Sequence, residues 1–485
     1  MRPSGSRSFL FSSPHPVPTV PLILAATGFT PLVILLISVA FIIGAIVGLR
    51  LHAFFALIFA AILVGILNSV LTAGGPTLVQ SLDAVMAELG TATGKLAFTI
   101  AIASVIGAAL MESGAAEKIV RRFIAVLGES RAPLALMACS FVLGIPVFFD
   151  TIFFLLVPLA RSLALRTGRD FTLYLLAIVV GGVVTHATVP PTPGPLAVAE
   201  LLKIDIGASI LFGCAAGIVP ALAGLLFAGW CNRRNPFPVS ASLPPGTVVP
   251  AEVPESALPG FFASIAPVVL PLILIGVSSV AAGMPGKLSP DLAGALAFVG
   301  NKNTALFIGA LIAVGVYIRQ KSIGWRDAGP VIGPPLETAG TIILITAAGG
   351  AFGAMIKLAG VGESVRSLTT DFAVNPVLLA WLLACVLRVA QGSTTVAMIT
   401  AASIMFSLSG PTGFTVHPLY IFAACGYGGL SISWMNDSGF WIFSRMSGMT
   451  EGQTLRTWTP AIAVVALTGL AQLLLLSAFF PQLGR

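Results

Sequence analysis

The strongest constraint on this chain is a row of apolar runs, each about as long as a bilayer is thick. They recur from Leu32 to Phe480. A helix needs ~20 mostly apolar residues to cross the hydrocarbon, and residues 206–230 and 457–480 meet that length without strain. In water such runs would form exposed patches that aggregate. Charged residues make up only 9% of the chain, where soluble domains carry about 25%. The expected fold class is therefore an all-α polytopic membrane protein. The net charge is +7, but the basic residues sit in short clusters between apolar runs, as the positive-inside rule expects. That distribution points to membrane lipid as a partner and away from nucleic acid. The five cysteines lie in or beside apolar runs with no metal-ligand spacing, so no disulfide, metal or other cofactor is expected. No GxxxxGK[ST] segment occurs, so an ATP motor would have to be a separate chain.

Simple spans are expected at 31–49, 52–72, 95–113, 172–190 and 206–230, and again at 261–281, 302–318, 336–356, 417–434 and 457–480. Two further apolar regions, 131–165 and 377–408, each carry a break rich in Gly, Pro, Ser or Thr. A hairpin that enters the membrane and returns has this pattern, and it is tolerated only where it is buried in protein or lines a cavity. Residues 232–259 form a Pro/Ser-rich linker that cannot span. Residues 1–30 are an N-terminal extension whose prolines break the apolar core a cleavable signal peptide would need.

The linker divides the chain near its middle, and the two sides match at an offset of 246 residues. Gly107, Ala108, Gly114 and Glu117 fall on Gly353, Ala354, Gly360 and Glu363. The break at Ile145-Pro146 falls on Gln391-Gly392, and Pro190-Pro191-Thr192-Pro193 falls on Asn436-Asp437-Ser438-Gly439. The expectation is two repeats, 31–231 and 260–485, each of about five transmembrane helices plus one re-entrant hairpin (131–165, 377–408) and a broken helix (172–200, 417–441). With the N-terminus outside, the inner loops collect most of the 25 Lys and Arg. Five spans then place the linker in the cytoplasm and invert the second repeat. Inverted repeats with paired interrupted segments are the pattern of secondary transporters, whose sites lie near the midplane.

Polar groups inside such runs need a reason, because a charge at mid-bilayer costs roughly 2.5–3.5 kcal/mol on insertion scales. Asp150 closes GIPVFFD after the first break. It is a titratable carboxylate able to carry a coupled proton; the plain alternative is a helix cap or a shallow surface position. His186 opens HATVPPTPGP, where four prolines in ten residues forbid a continuous helix. Broken half-helices present free backbone groups to ligands, and His titrates near neutral pH; the alternative is a buried His bonded to a carbonyl. Arg388 follows eleven apolar residues. Its guanidinium would hold a carboxylate, or else lock the hairpin through an ion pair with Asp437 or Asp150. Gln391, Gly392, Ser393, Thr394 and Thr395 come next, small groups that let backbone amides approach an anion where a new half-helix starts. Asn436, Asp437, Ser438 and Gly439 end the run 417–434, as a polar half of the site or as a cytoplasmic helix cap. Trp325, Trp434, Trp441 and Trp458 fit an interfacial aromatic belt.

Read together, GIPVFFD (144–150), HATVPPTPGP (186–195), RVAQGSTTVAM (388–398), NDSGFW (436–441) and GMTEGQTLRTW (448–458) resemble the gluconate permease family, from about residue 31 to 485. The resemblance implies a wider ion transporter superfamily, whose known folds are dimers with a scaffold part, a transport part and two re-entrant hairpins per protomer. It implies proton-coupled uptake of gluconate or a similar sugar acid across a bacterial inner membrane; some relatives carry glycerate or D-serine. The chain departs from the family at Thr192, where members often carry His, a position that bears on which acid is carried.

The resulting expectation is a proton symporter of a small hydroxy-carboxylate. The substrate would be held by the hairpin tips and broken helices, through Pro146, Thr192, Gly194, Gln391, Gly392, Ser393, Thr394, Thr395, Asn436, Asp437 and Ser438, and neutralised by Arg388. Asp150 and His186, with Asp437, would take up the proton. A sodium-coupled carrier of di- or tricarboxylates or of D-serine is the rival within the class. An intramembrane aspartyl enzyme using Asp150 and Asp437 is the rival outside it; the paired hairpins argue against it, so no catalytic residue is expected.

Overall fold

The computed structural model describes residues 30–72, 75–239, 254–282, 288–361, 364, 375–409, 413–435 and 437–483. The N-terminal extension up to residue 29, the middle of the linker, Glu363 and Asn436 lie outside them. Among the described residues every regular element is a helix. The first half holds α1 (Thr30–Ile43), α2 (Ala53–Leu71), α3 (Leu78–Glu112), α4 (Ala115–Leu127), α5 (Ala132–Leu143), α6 (Phe149–Thr167), α7 (Phe171–Thr188), α8 (Pro193–Leu201) and α9 (Ile206–Arg234). The second half holds α10 (Phe261–Ala282), α11 (Pro290–Val299), α12 (Lys302–Lys321), α13 (Gly329–Leu358), α14 (Pro376–Gln391), α15 (Thr394–Leu408), α16 (Pro418–Leu430), α17 (Ser438–Ser447) and α18 (Glu451–Phe479). Among the described residues, eight helices are long and apolar enough to cross a membrane, or nine if α4 and α5, which meet at 108°, count as one broken span.

Two differences from the apolar runs have clear causes. The span expected at 95–113 begins at Leu78, because Thr77 and Gln80 form a capping box that starts the helix there. Asp83 and Glu88 lower the hydropathy of that first stretch without stopping the helix, which rises ~52 Å. The run 417–434 instead yields the 13-residue α16, ~20 Å long against a hydrocarbon core of ~30 Å. His417 starts it, accepting the Leu419 N–H at 3.3 Å, and it stops at Leu430 where the chain turns toward Asp437. Helices α5, α14 and α15, with 12, 16 and 15 residues, are likewise too short to cross alone.

The two halves of the chain interleave. α13 lies against α2 and α3, α7 against α5 and α9, and α18 against α9 and α16. Leu57, Ala61, Val85, Ala348, Phe352 and Met355 make one apolar core between α2, α3 and α13. Lipid is as apolar as leucine, so close backbone contact has to do much of the holding. Gly181 shows it: a Cβ there would stand 2.2 Å from the Met137 carbonyl oxygen, so only glycine lets α7 touch α5. As a result α7 is buried along nearly all its length, whereas most residues of α10 are not buried within the chain.

Candidate substrate-binding site

The short helices end at one place. A cavity of about 530 Å³ lies where four helix N-termini meet: Phe149–Thr151 of α6, Pro193 of α8, Thr394–Val396 of α15, and Ser438 and Gly439 of α17. First-turn N–H groups have no partner within their own helix, and each N-terminus carries roughly half a positive charge. Four such ends around one space favour an anion. His186 and Val183 of α7, Arg388 of α14, Leu430 of α16, and Trp458 and Ile462 of α18 complete the near walls. The far wall is one face of α13, with Thr338, Ile342 and Ile345 spaced four and three residues apart.

The break in the second half is built from polar contacts. α14 ends at Gly392, whose φ of +79° lies in the left-handed region open to glycine. The reversal lets Arg388 donate from one terminal nitrogen to the Gly392 carbonyl. The other terminal nitrogen pairs with Asp437. Arg388 is fully buried, and its Nε has no partner among the described residues. Asp437 caps α17, its Oδ1 accepting the Gly439 N–H at 3.0 Å, while Oδ2 also accepts from the Ser433 hydroxyl. Trp458 Nε1 donates to Ser433 Oγ at 2.7 Å. Ser393 caps α15 by accepting the Val396 N–H at 3.4 Å.

The break in the first half is apolar. Phe148 starts α6 with no side-chain cap. Asp150 follows in the first turn and has neither a hydrogen bond nor an ion pair among the described residues; Asp437 is its charged neighbour. Asp437 and Arg388 are the charged neighbours of His186, whose Nδ1 is buried without a partner among the described residues.

Of the residues expected at the site, Asp150, His186, Arg388, Gly392, Ser393, Thr394, Thr395, Asp437 and Ser438 line the cavity. Pro146, Thr192 and Gly194 are not among its lining. The Pro146 turn packs on Gly107 of α3. Thr192 donates to the Val189 carbonyl at 2.5 Å, and Gly194 presses on Met398 of α15. The Gln391 side chain and Asn436 fall outside the described residues. Trp458 corrects the interfacial reading: it is buried, with its ring 5.5 Å from Phe149 and 5.4 Å from Phe443. It starts two turns inside α18, whose Thr450–Gln453 capping box marks the polar end. Ser433 and the α13 wall carry no sequence signal of their own; only position brings them in.

The sequence pattern of the GntP family permease matches residues 30–479. The chain belongs to the GntP permease family. It is a multi-pass membrane permease, not an enzyme, and its relatives are bacterial, in keeping with the inner membrane. The Gnt-II system L-idonate transporter of Escherichia coli K12 is 31% identical over 450 residues, 92% of this chain and 99% of the relative. The gluconate permease of Pseudomonas aeruginosa is 31% identical over 449 residues, 91% and 96% of the two chains. The high-affinity gluconate transporter of Escherichia coli K12 is 28% identical over 447 residues, 92% and 99%. Among solved structures, the Alcanivorax borkumensis YdaH transporter has a TM-score of 0.63 at 13% identity, covering 89% of this chain and 99% of that one. At that identity the likeness shows the fold alone. Within this GntP permease Asp150 and Asp437 do face one cavity, but Asp437 is held by three donors. They are not the proton-sharing pair of an aspartyl enzyme.

Proposed function

We propose that this GntP permease takes up gluconate or a related small hydroxy-carboxylate by proton symport. The supporting observation is the charge pattern of the cavity. Arg388 and Asp437 cancel each other, and the unpaired Asp150 leaves one negative charge beside four helix N-termini. A substrate carboxylate would add a second. Two like charges ~5 Å apart at an effective dielectric of ~20 repel by about 3 kcal/mol, enough to lower affinity more than 100-fold. A proton on Asp150, shared with His186, removes that repulsion, so proton and anion favour each other's binding; this reciprocity is what coupling requires. Arg388 Nε and His186 Nδ1, both buried and unpartnered among the described residues, would be the groups left to meet the carboxylate and a hydroxyl as the site adjusts around substrate. The relatives named for gluconate and L-idonate carry stereoisomeric hexonates, which accords with a site that grips the shared carboxylate most firmly. In this reading the two halves are inverted repeats, and the body that carries the short helices moves against the α13 wall to alternate access.

The test is uptake of radiolabelled gluconate into proteoliposomes without sodium, with an inward proton gradient imposed or absent. Accumulation that needs the gradient and collapses with a protonophore is the expected result. Accumulation that needs sodium would replace the proton with a metal cation, and failure with gluconate alone would move the substrate to another hydroxy acid in competition assays.

A further inference from the structure

Two carboxylates reach one cavity in very different company. Among the described residues, every hydrogen-bond partner of the Asp437 carboxylate is placed as a donor. Arg388 and the Gly439 N–H can only donate. Ser433 can donate or accept, and the Trp458 indole N–H, which only donates, takes one of the two lone pairs of its oxygen at 2.7 Å. The single hydroxyl hydrogen of Ser433 goes to Asp437 Oδ2. Thr459 Oγ1 donates to the Ser433 carbonyl at 2.6 Å and fixes the backbone there. The Trp458 ring is clamped between Phe149 and Phe443. Three donors thus converge on the ionised form of Asp437, and a proton on the carboxyl would have to displace at least one of them. Arg388 of α14, Asp150 of α6 and His186 of α7 are the charged or titratable groups around Asp437; α18 contributes only the neutral Trp458 side.

We propose that Ser433 and Trp458 are positioning residues that reserve Asp437 as the permanent counter-ion of Arg388, so that of the two carboxylates only Asp150 takes up a proton. The inference deepens the proton-coupled reading and rests on it for its role in transport, but its chemistry is measured without substrate. Exposed carboxylates are ionised across roughly pH 5–8, so infrared difference spectra over that interval, on the full chain in lipid nanodiscs, report buried acid groups by their protonated C=O band. The wild-type band should vanish in Asp150→Asn. It should return, now from Asp437, in Asp150→Asn/Ser433→Ala and in Asp150→Asn/Trp458→Phe, and be lost again when Asp437→Asn is added. Ser433→Thr, which keeps the hydroxyl, should leave Asp150→Asn silent. Trp458→Phe keeps the aromatic packing and decides the matter if Ser433→Ala fails to fold. Silence in both double variants overturns the proposal, as does a wild-type band that survives Asp150→Asn and disappears in Asp437→Asn. Absence of gluconate uptake by the wild type would overturn the proposed function and leave the infrared result standing.

Discussion

The two breaks that meet in the cavity solve the same geometric problem by different means. The break before α6 is held by apolar packing: Val147 lies against Gly107, Phe149 lies against Trp458, and the glycine ending α5, Gly144, has ordinary helical dihedrals. Its one charge, Asp150, is left alone. The break between α14 and α15 is held by charge: Arg388 ties its own C-terminal carbonyl to the cap of α17. Donors to a carboxylate favour its charged form, and Asp437 has three where Asp150 has none among the described residues. In the proposed cycle the first break would carry the charge that takes up a proton and the second the charge that stays.

The sharpest way to break this comparison is Arg388→Ala. It leaves Asp437 buried without its cation, and removal of one member of a buried pair costs about 3–5 kcal/mol. Thermal unfolding in detergent should show that loss, and gluconate uptake should fall at least ~100-fold. Arg388→Ala/Asp437→Ala should recover much of the stability and none of the uptake. Near-normal transport by the single variant would mean that the fixed charge has no part in binding.

Asp150→Asn comes next and should behave oppositely. The amide mimics the protonated acid and breaks no hydrogen bond or ion pair among the described residues, so stability should hold. Gradient-driven accumulation should disappear while gluconate exchange between equal pools continues. Accumulation that still follows the imposed gradient would remove the first break from coupling. A smaller effect is expected of His186→Gln, which keeps hydrogen-bonding capacity but cannot titrate. Affinity should fall about 5-fold, the worth of one hydrogen bond of ~1 kcal/mol, and the pH dependence of accumulation should narrow if His186 shares the proton. Unchanged KM and pH profile would make it a packing residue.

The smallest effect separates the two glycines. Gly392→Ala puts a Cβ on a left-handed residue, at a cost of about 1–2 kcal/mol in unfolding free energy. Gly144→Ala has no such dihedral problem, but its Cβ would lie 2.2 Å from Thr185 Oγ1. Thr185→Ala removes that hydroxyl but not the Ser140 carbonyl oxygen 2.8 Å from the same Cβ, so it should rescue Gly144→Ala in part, whereas Gly392→Ala should not be rescued by any neighbour.

By itself the sequence determined that the chain lives in a bilayer, that it is helical, and several of the points where its backbone is interrupted, though not the 108° break between α4 and α5. Each of these follows from local chemistry: run length against bilayer thickness, and Pro, Gly and hydroxyl residues where an apolar helix cannot continue. It also singled out Asp150, His186, Arg388 and Asp437, because a charge in an apolar run is conspicuous without any neighbours. The tertiary structure decided which of these groups are paired. Arg388 and Asp437 are 49 residues apart, and whether they meet depends on how α14 reverses at Gly392 and where α16 stops. It also decided that Trp458 and the α13 wall line the cavity, that Ser433 bonds to Asp437 and Trp458, and that Thr192 and Gly194 are not in the lining. Serine, threonine and tryptophan are unremarkable in a membrane helix, and only the packing of distant segments assigns them a partner.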